Sequence, residues 1–194
     1  MSINLTLGHT QLIRNECALR GLTRQQTAYV LATALWETNR TMLPVEEAYY
    51  LGAKAEAYRR KLKYWPWHGR GFVQLTWLDN YLRAGKELDV DLTTDPAAAM
   101  KPDVAARILV LGMERGWFTG KKLADFIGTT VDYRGARRIV NGTDRADEIA
   151  SLARQYETAL AVQPDPVRPP RPAPAQSIWI TLGQLFARIF TKGA

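Results

Sequence analysis

The chain of 194 residues is poor in the groups that build several common kinds of site. It has one cysteine, Cys17, so neither an internal disulfide framework nor a multi-cysteine zinc cluster is available. Its two histidines, His9 and His68, are too few for a three-histidine metal centre. No stretch reaches ~18 uninterrupted apolar residues, so nothing reads as a membrane-spanning helix. The opening MSINLTLGHTQLIRNE has no basic start followed by an apolar run, so no secretory signal is read. No run of five or more like charges occurs, and a nucleic-acid-binding arm is therefore not indicated. Strand-type alternation is almost absent as well, which predicts a mainly α fold.

What the chain does have is an excess of positive charge. Lys and Arg number 26 against 19 Asp and Glu, a net charge of +7. That balance suits an anionic partner: nucleic acid, an anionic membrane or an acidic wall polymer. Four of the basic residues and one acid fall in residues 163–194, so the terminal sixth of the chain carries nearly half of the excess.

Helical spacing predicts helices at about 9–20, closed by Gly21, and from 24 to about 38. Thr23-x-x-Gln26 reads as a capping box opening the second. Further helices are expected at 44–62, 78–86, 96–115 with a break at Pro102, and 145–161, with 72–76 (FVQLT) as the one short extended segment. Residues 163–175, QPDPVRPPRPAPA, hold six prolines and read as an extended linker. They end a globular domain at residues 1–162. Beyond them, residues 176–194 space Ile178, Leu182, Leu185, Phe186, Ile189 and Phe190 on one helical face, opposite Thr181, Gln184, Arg188 and Lys192. Such a cationic amphipathic helix suits the surface of an anionic membrane, a partner helix or a place on the domain's own core.

Three clusters carry chemistry. Glu37 ends the stripe Gln26, Tyr29, Val30 and Thr33, flanked by Ala34 and Trp36. A carboxyl among apolar and aromatic groups resists ionisation and can serve as a general acid, although pairing with Arg40 or another arginine would make it structural. Glu46 and Glu47 follow Pro44 and supply a second carboxylate, or ordinary partners for a helix start. Two carboxyls roughly 6.5–9.5 Å apart suit inverting glycoside hydrolysis. The third cluster, residues 65–81 (WPWHGRGFVQLTWLDNY), mixes aromatic rings with amides and hydroxyls, as a carbohydrate site does. The same rings interleaved with Arg70 and Lys63 could stack nucleobases or simply fill a core.

The order Trp36-Glu37-Thr38, Met42-Leu43-Pro44-Val45-Glu46-Glu47, Gly69-Arg70-Gly71-Phe72-Val73-Gln74-Leu75-Thr76-Trp77 and Asn80-Tyr81 resembles glycoside hydrolase family 19. That family comprises chitinases and lysozyme-like relatives, including bacteriophage endolysins. The resemblance covers roughly residues 10–160. Trp36 stands where the family carries His, and Trp67 and His68 stand where it carries a tyrosine pair. It implies a lysozyme-like helical fold with a central cleft, and it puts the general acid on Glu37 and the second acid on Glu47, with Glu46 as the alternative. It also implies that Thr76 helps to hold the attacking water. Trp67, His68, Gln74, Asn80 and Tyr81 would bind the sugar, joined by Arg138 and by Asn141 of Val140-Asn141-Gly142.

No metal or cofactor is implied, and a monomer is expected. The activity implied is hydrolysis of the β-1,4 bond of peptidoglycan glycan strands, leading to host-cell lysis. Peptidoglycan is preferred over chitin because the segment is short, lacks the cysteines of secreted plant chitinases and is basic. Without a signal peptide, such an enzyme would be stored in the host cytoplasm and released to the wall through a membrane lesion. A chitinase, and a non-catalytic module binding wall or nucleic acid, are the alternatives.

Overall fold

The computed structural model describes residues 3–163. Apart from Gln163, the proline-rich stretch expected at 163–175 and the amphipathic stretch expected at 176–194 lie outside the described residues. The described part is mainly helical, as the lack of alternation predicts. Its α-helices are α1 (Thr10–Arg20), α2 (Arg24–Glu37), α3 (Ala55–Arg59), α4 (Leu78–Leu88), α5 (Pro102–Arg115) and α6 (Ala146–Ala161). Two strands of two residues each, β1 (Val45–Glu46) and β2 (Arg70–Gly71), pair antiparallel, with Val45 opposite Gly71 and Glu46 opposite Arg70. Among the described residues no helix is long and apolar enough to cross a membrane.

Helix α2 is the centre of the molecule. Every residue from Ala28 to Leu35 is buried, so this helix is enclosed on all sides instead of along one stripe. It packs most extensively on α6, where the rings of Tyr29 and Tyr133 stack with centroids 6.0 Å apart at the edge of that interface. The capping box forms as expected: the Gln26 amide donates to Thr23 Oγ1 at 3.2 Å, and Gln26 Oε1 accepts from the Thr23 amide at 3.1 Å. The Gln26 side chain also donates to the carbonyl of Ile127, tying the helix start to a distant loop. Gly21 and Gly116 end α1 and α5 in the left-handed conformation, where a Cβ would be strained.

Two sequence expectations need correction. The helix expected over 44–62 does not form as one piece. Residues 45–46 are strand, a 3₁₀ segment runs Tyr49–Lys54, and only α3 is α-helical. Ala48 has φ +61°, and Gly52 has φ +54° with ψ −126°, so the chain reverses twice where a helix would run straight. The extended segment expected at 72–76 is instead a tight turn with Gln74 at φ +55°, and the strand pairing falls on Arg70–Gly71 just before it. Both misreadings have one cause, because residues 45–46 and 70–71 take their conformation from each other across 25 residues.

The chain leaves α2 through an unusual turn. Asn39, Arg40 and Met42 all have positive φ. Such conformations are unfavourable for residues with a Cβ, by roughly 1 kcal/mol or more each. Buried Thr38 holds the turn together: its hydroxyl donates to the Ala34 carbonyl at 2.7 Å and accepts from the Met42 amide at 3.0 Å. This reversal returns the chain toward Glu37 before β1 begins. Replacing Thr23 with Ala removes one cap bond from the central helix. It should lower unfolding stability by about 1 kcal/mol, and Tm by roughly 2–4 °C for a domain of this size, as read by thermal melting. An unchanged Tm would show that the cap contributes nothing here.

Candidate active site

A pocket of about 230 Å³ opens where α2 ends. Its lining includes Glu37 from α2, Glu46 and Glu47 from β1 and the residue after it, Gln74 from the turn after β2, and the rim tyrosines Tyr49, Tyr50 and Tyr58. Carboxylates ten residues apart in sequence thus meet in one place because the left-handed turn folds β1 back over the end of the helix.

The two neighbouring acids both line the pocket but have different partners. Glu46 turns toward a cluster of cationic and imidazole groups. Its Oε1 accepts from Arg70 Nε at 3.1 Å and lies 2.8 Å from His68 Nε2, while Oε2 pairs with Arg59 Nη1 at 3.1 Å. Burial alone would raise the Glu46 carboxyl, but the His68 bond and the charges of Arg59 and Arg70 outweigh it and hold the group below its ordinary value. Burial also lowers His68; the Glu46 bond opposes this, and the Arg70 and Arg59 charges reinforce it. A carboxylate can only accept, so the neutral imidazole carries its proton on Nε2, and Nδ1 is left buried with no partner. Arg70 continues the network by donating to Pro66 O at 2.8 Å and to the Tyr81 hydroxyl at 3.1 Å.

Glu47 meets neutral donors. Tyr64 Oη donates to its Oε1 at 2.8 Å, and the Gly69 amide donates to its Oε2 at 2.9 Å. Burial and the carboxylate it serves push the Tyr64 phenol up to about 12, so it remains a proton donor throughout the neutral range. Gly69 can approach because it has no side chain; a Cβ there would lie 2.7 Å from Gln74 Oε1. Gln74 is itself anchored, with Nε2 donating to Val45 O at 2.9 Å.

Glu37 pairs with Arg137, whose Nη1 lies 2.7 Å from Oε1. Of the arginines that the sequence allowed as its partner, nearby Arg40 is exposed beyond the helix end, and another, Arg137, takes the place. Arg137 is 4% exposed and also donates from Nε to Asp144 O at 3.1 Å. It sits on the 3₁₀ turn Gly135–Ile139, whose start is capped by Asp132 Oδ1 accepting from the Gly135 amide. In a 3₁₀ turn neighbours point about 120° apart. Arg138, the residue expected at the substrate, is therefore turned outward and exposed.

Of the expected site residues, Glu37, Glu47 and Gln74 converge on the pocket. Thr76 is half-buried, with its hydroxyl donating to Gln74 O at 2.8 Å, and Asn80 donates to Thr76 O at 2.8 Å. Trp67 packs against the core, with its indole N–H 3.4 Å from Thr93 O. Asn141 is exposed and accepts from the Gly142 amide. Two expectations are corrected. His68 is 2% exposed and Tyr81 is fully buried, so neither side chain reaches a ligand. Tyr81 Oη instead donates to His68 O at 2.8 Å.

Arg137, Tyr64 and Arg59 escaped the sequence reading. Arg137 stands 100 residues from Glu37, and nothing local marks it. The pair Tyr49-Tyr50, directly after the acids, was the one available signal for an aromatic rim. Among the described residues no group of three or more His, Cys, Asp and Glu is placed to hold a metal ion. The chain matches no family model and no curated protein.

Acid should weaken this network in two stages. His68 is held below its ordinary 6.5, so its contribution is complete above that value and fades as pH falls through its lowered one. Glu46 is held below 4.5, so its contribution is present above that value and is lost as pH falls further. Denaturant unfolding across pH 7.5–3 should show both losses. Glu46→Gln should cost about 3 kcal/mol near neutrality, because the guanidiniums lose a partner, and should lack the second loss. Identical acid limbs in the two proteins would refute this role for Glu46.

Proposed function

We propose that the chain is a lytic glycoside hydrolase of the family 19 type, with a lysozyme-like helical fold around a central cleft, that hydrolyses the β-1,4 bonds of peptidoglycan glycan strands. The observation that carries this reading is the meeting of Glu37 and Glu47 in one pocket, on separate elements and with different partners. Two carboxyls in unlike surroundings are what acid–base cleavage of a glycosidic bond requires.

In this mechanism the protonated form of Glu37 gives its proton to the leaving oxygen, and the carboxylate that results forms the ion pair with Arg137 seen in the structure. Glu47 takes a proton from the water that attacks the anomeric carbon from the opposite face. Its two hydrogen bonds occupy two of about four lone-pair sites, so it can still accept that proton while Tyr64 and Gly69 fix its direction. Thr76, which the resemblance assigns to the same water, has its proton committed to Gln74 O and would act there as an acceptor. The product would have inverted configuration.

The pocket, at about 230 Å³, is below the roughly 300–1,000 Å³ that encloses a whole small ligand. An extended polymer with one segment in the pocket fits better. Exposed Tyr49, Tyr50 and Tyr58 offer ring faces to adjoining sugars. The net charge of +7 favours an acidic wall strand over uncharged chitin.

The Glu37–Arg137 ion pair also suits a second reading, in which Glu37 is structural and the domain only binds wall polymer. Turbidity loss of purified peptidoglycan separates the two. Glu37→Gln and Glu47→Gln should each reduce the rate by about 10²–10⁴. Tyr64→Phe, losing one bond to a charged group, should reduce it about tenfold. Wall binding without lysis by the unmodified protein would favour the binding module. Full activity in folded Glu37→Gln would remove Glu37 from the mechanism. Mass spectrometry of released fragments should show hydrolysed reducing ends; anhydro-sugar ends would indicate a transglycosylase instead.

A further inference from the structure

A second cavity, larger than the carboxylate pocket, lies away from it. A groove of about 620 Å³ runs along α6, between it, the stretch preceding α1 and the end of α2. Its lining shares no residue with the carboxylate pocket. Leu35, Leu152 and Tyr156 are buried in its floor, and half-buried Ile3 and Leu7 form one wall. Polar Asn4, Arg40, Glu148, Ser151 and Gln155 stand around it. An apolar floor inside a polar rim is the anatomy of a protein interface, and the α6 residues at 148, 151, 152, 155 and 156 form one helical face on which a second helix can lie.

The structure points to one occupant. We infer that residues 176–194 of this chain dock in the groove, inserting Leu182, Leu185, Phe186 and Ile189 and leaving Thr181, Gln184, Arg188 and Lys192 toward water. This rests on the groove and on the sequence pattern, and does not depend on the hydrolase reading.

Reach and register both permit it. The described chain ends just past α6, where Gln163 Oε1 accepts from Arg14 Nη1 at 3.3 Å. At 1.5 Å per residue, Tyr156 lies about 10 Å and Glu148 about 22 Å back along the α6 axis from that point. The twelve residues 164–175, extended at about 3.1 Å each, span about 37 Å, enough to turn and run back over the whole groove. The α6 face lining the groove is about 12 Å long, against about 28 Å for nineteen helical residues. Two turns of the amphipathic stretch therefore fill the groove.

A tethered segment also needs little intrinsic affinity. A short linker presents it at an effective concentration on the order of millimolar, so a separate peptide binding with Kd below about 1 mM would dock when attached. Left undocked, half-buried Ile3 and Leu7 and the apolar side chains spaced along residues 176–194 would have water as their alternative. Docking places the stretch against Leu35, two residues before Glu37, without covering the carboxylate pocket.

Paramagnetic NMR on the full chain tests this directly. Cys17 is fully buried, so a spin label attached through Gln184→Cys goes to the new thiol. The amide signals of Leu7, Leu152 and Tyr156 should lose more than half their intensity, while those of α4 keep theirs. Adding Ser151→Arg, which places a long charged side chain in the groove from an exposed position, should restore them. Undiminished groove signals in the labelled protein would overturn the proposal. So would broadening that survives Ser151→Arg, or broadening that appears on unlabelled chains mixed with labelled ones, which would mean a second copy. A response seen only after adding phosphatidylglycerol vesicles would assign the stretch to a membrane and equally overturn docking.

Discussion

The Glu46 carboxylate, gathered between Arg59, Arg70 and His68, is the interaction on which the geometry around the pocket depends. Withdrawing charged groups from water is unfavourable, and a buried ion pair often adds little net stability over well-packed apolar residues. Its consequence here is geometric. Arg59 comes from α3, Arg70 from β2 and His68 from the loop before it, so one carboxylate joins three segments that share little apolar surface. Arg70 then reaches Pro66 O and the Tyr81 hydroxyl, which extends the same brace to α4.

That brace explains why two adjacent glutamates do different work. Both acids line the pocket, but Glu46 is engaged by Arg59, Arg70 and His68, whereas Glu47 is held by a phenol and a backbone amide. A slip of one residue in the pairing of β1 with β2 would exchange the two carboxylates. Glu37 is placed by a different constraint. It ends a helix whose residues from Ala28 to Leu35 are all buried, so its position is as rigid as the core itself. The pocket therefore sits between a wall set by apolar packing and a wall set by charge pairing.

Much of the helical framework was legible in the sequence. The Thr23–Gln26 capping box, the Gly21 and Gly116 stops and the helices at 10–20, 24–37 and 146–161 are local features, decided by spacing and by residues within one turn. The segment 44–76 was misread because its conformation comes from the pairing of Val45–Glu46 with Arg70–Gly71 and from left-handed residues such as Ala48 and Gln74, which carry no side-chain signature. The chemistry-bearing residues were found as types, while their roles shifted. His68 and Tyr81 belong to the interior, and the arginine that pairs with Glu37 is the distant Arg137, not nearby Arg40.

By itself, then, the sequence determined composition and local order: a mainly helical chain, a basic balance with one cysteine and two histidines, and acids and aromatics in a sequence order resembling a glycosidase family. Only the tertiary structure decided which carboxylates face one another, which of Glu46 and Glu47 is occupied by cations, and which aromatic side chains are enclosed. The physical reason lies in distance along the chain. Caps, stops and periodicity act within a few residues, whereas Glu37 with Arg137, Glu47 with Tyr64 and Glu46 with Arg70 act across 17 to 100 residues, and only the folded chain brings such partners within reach.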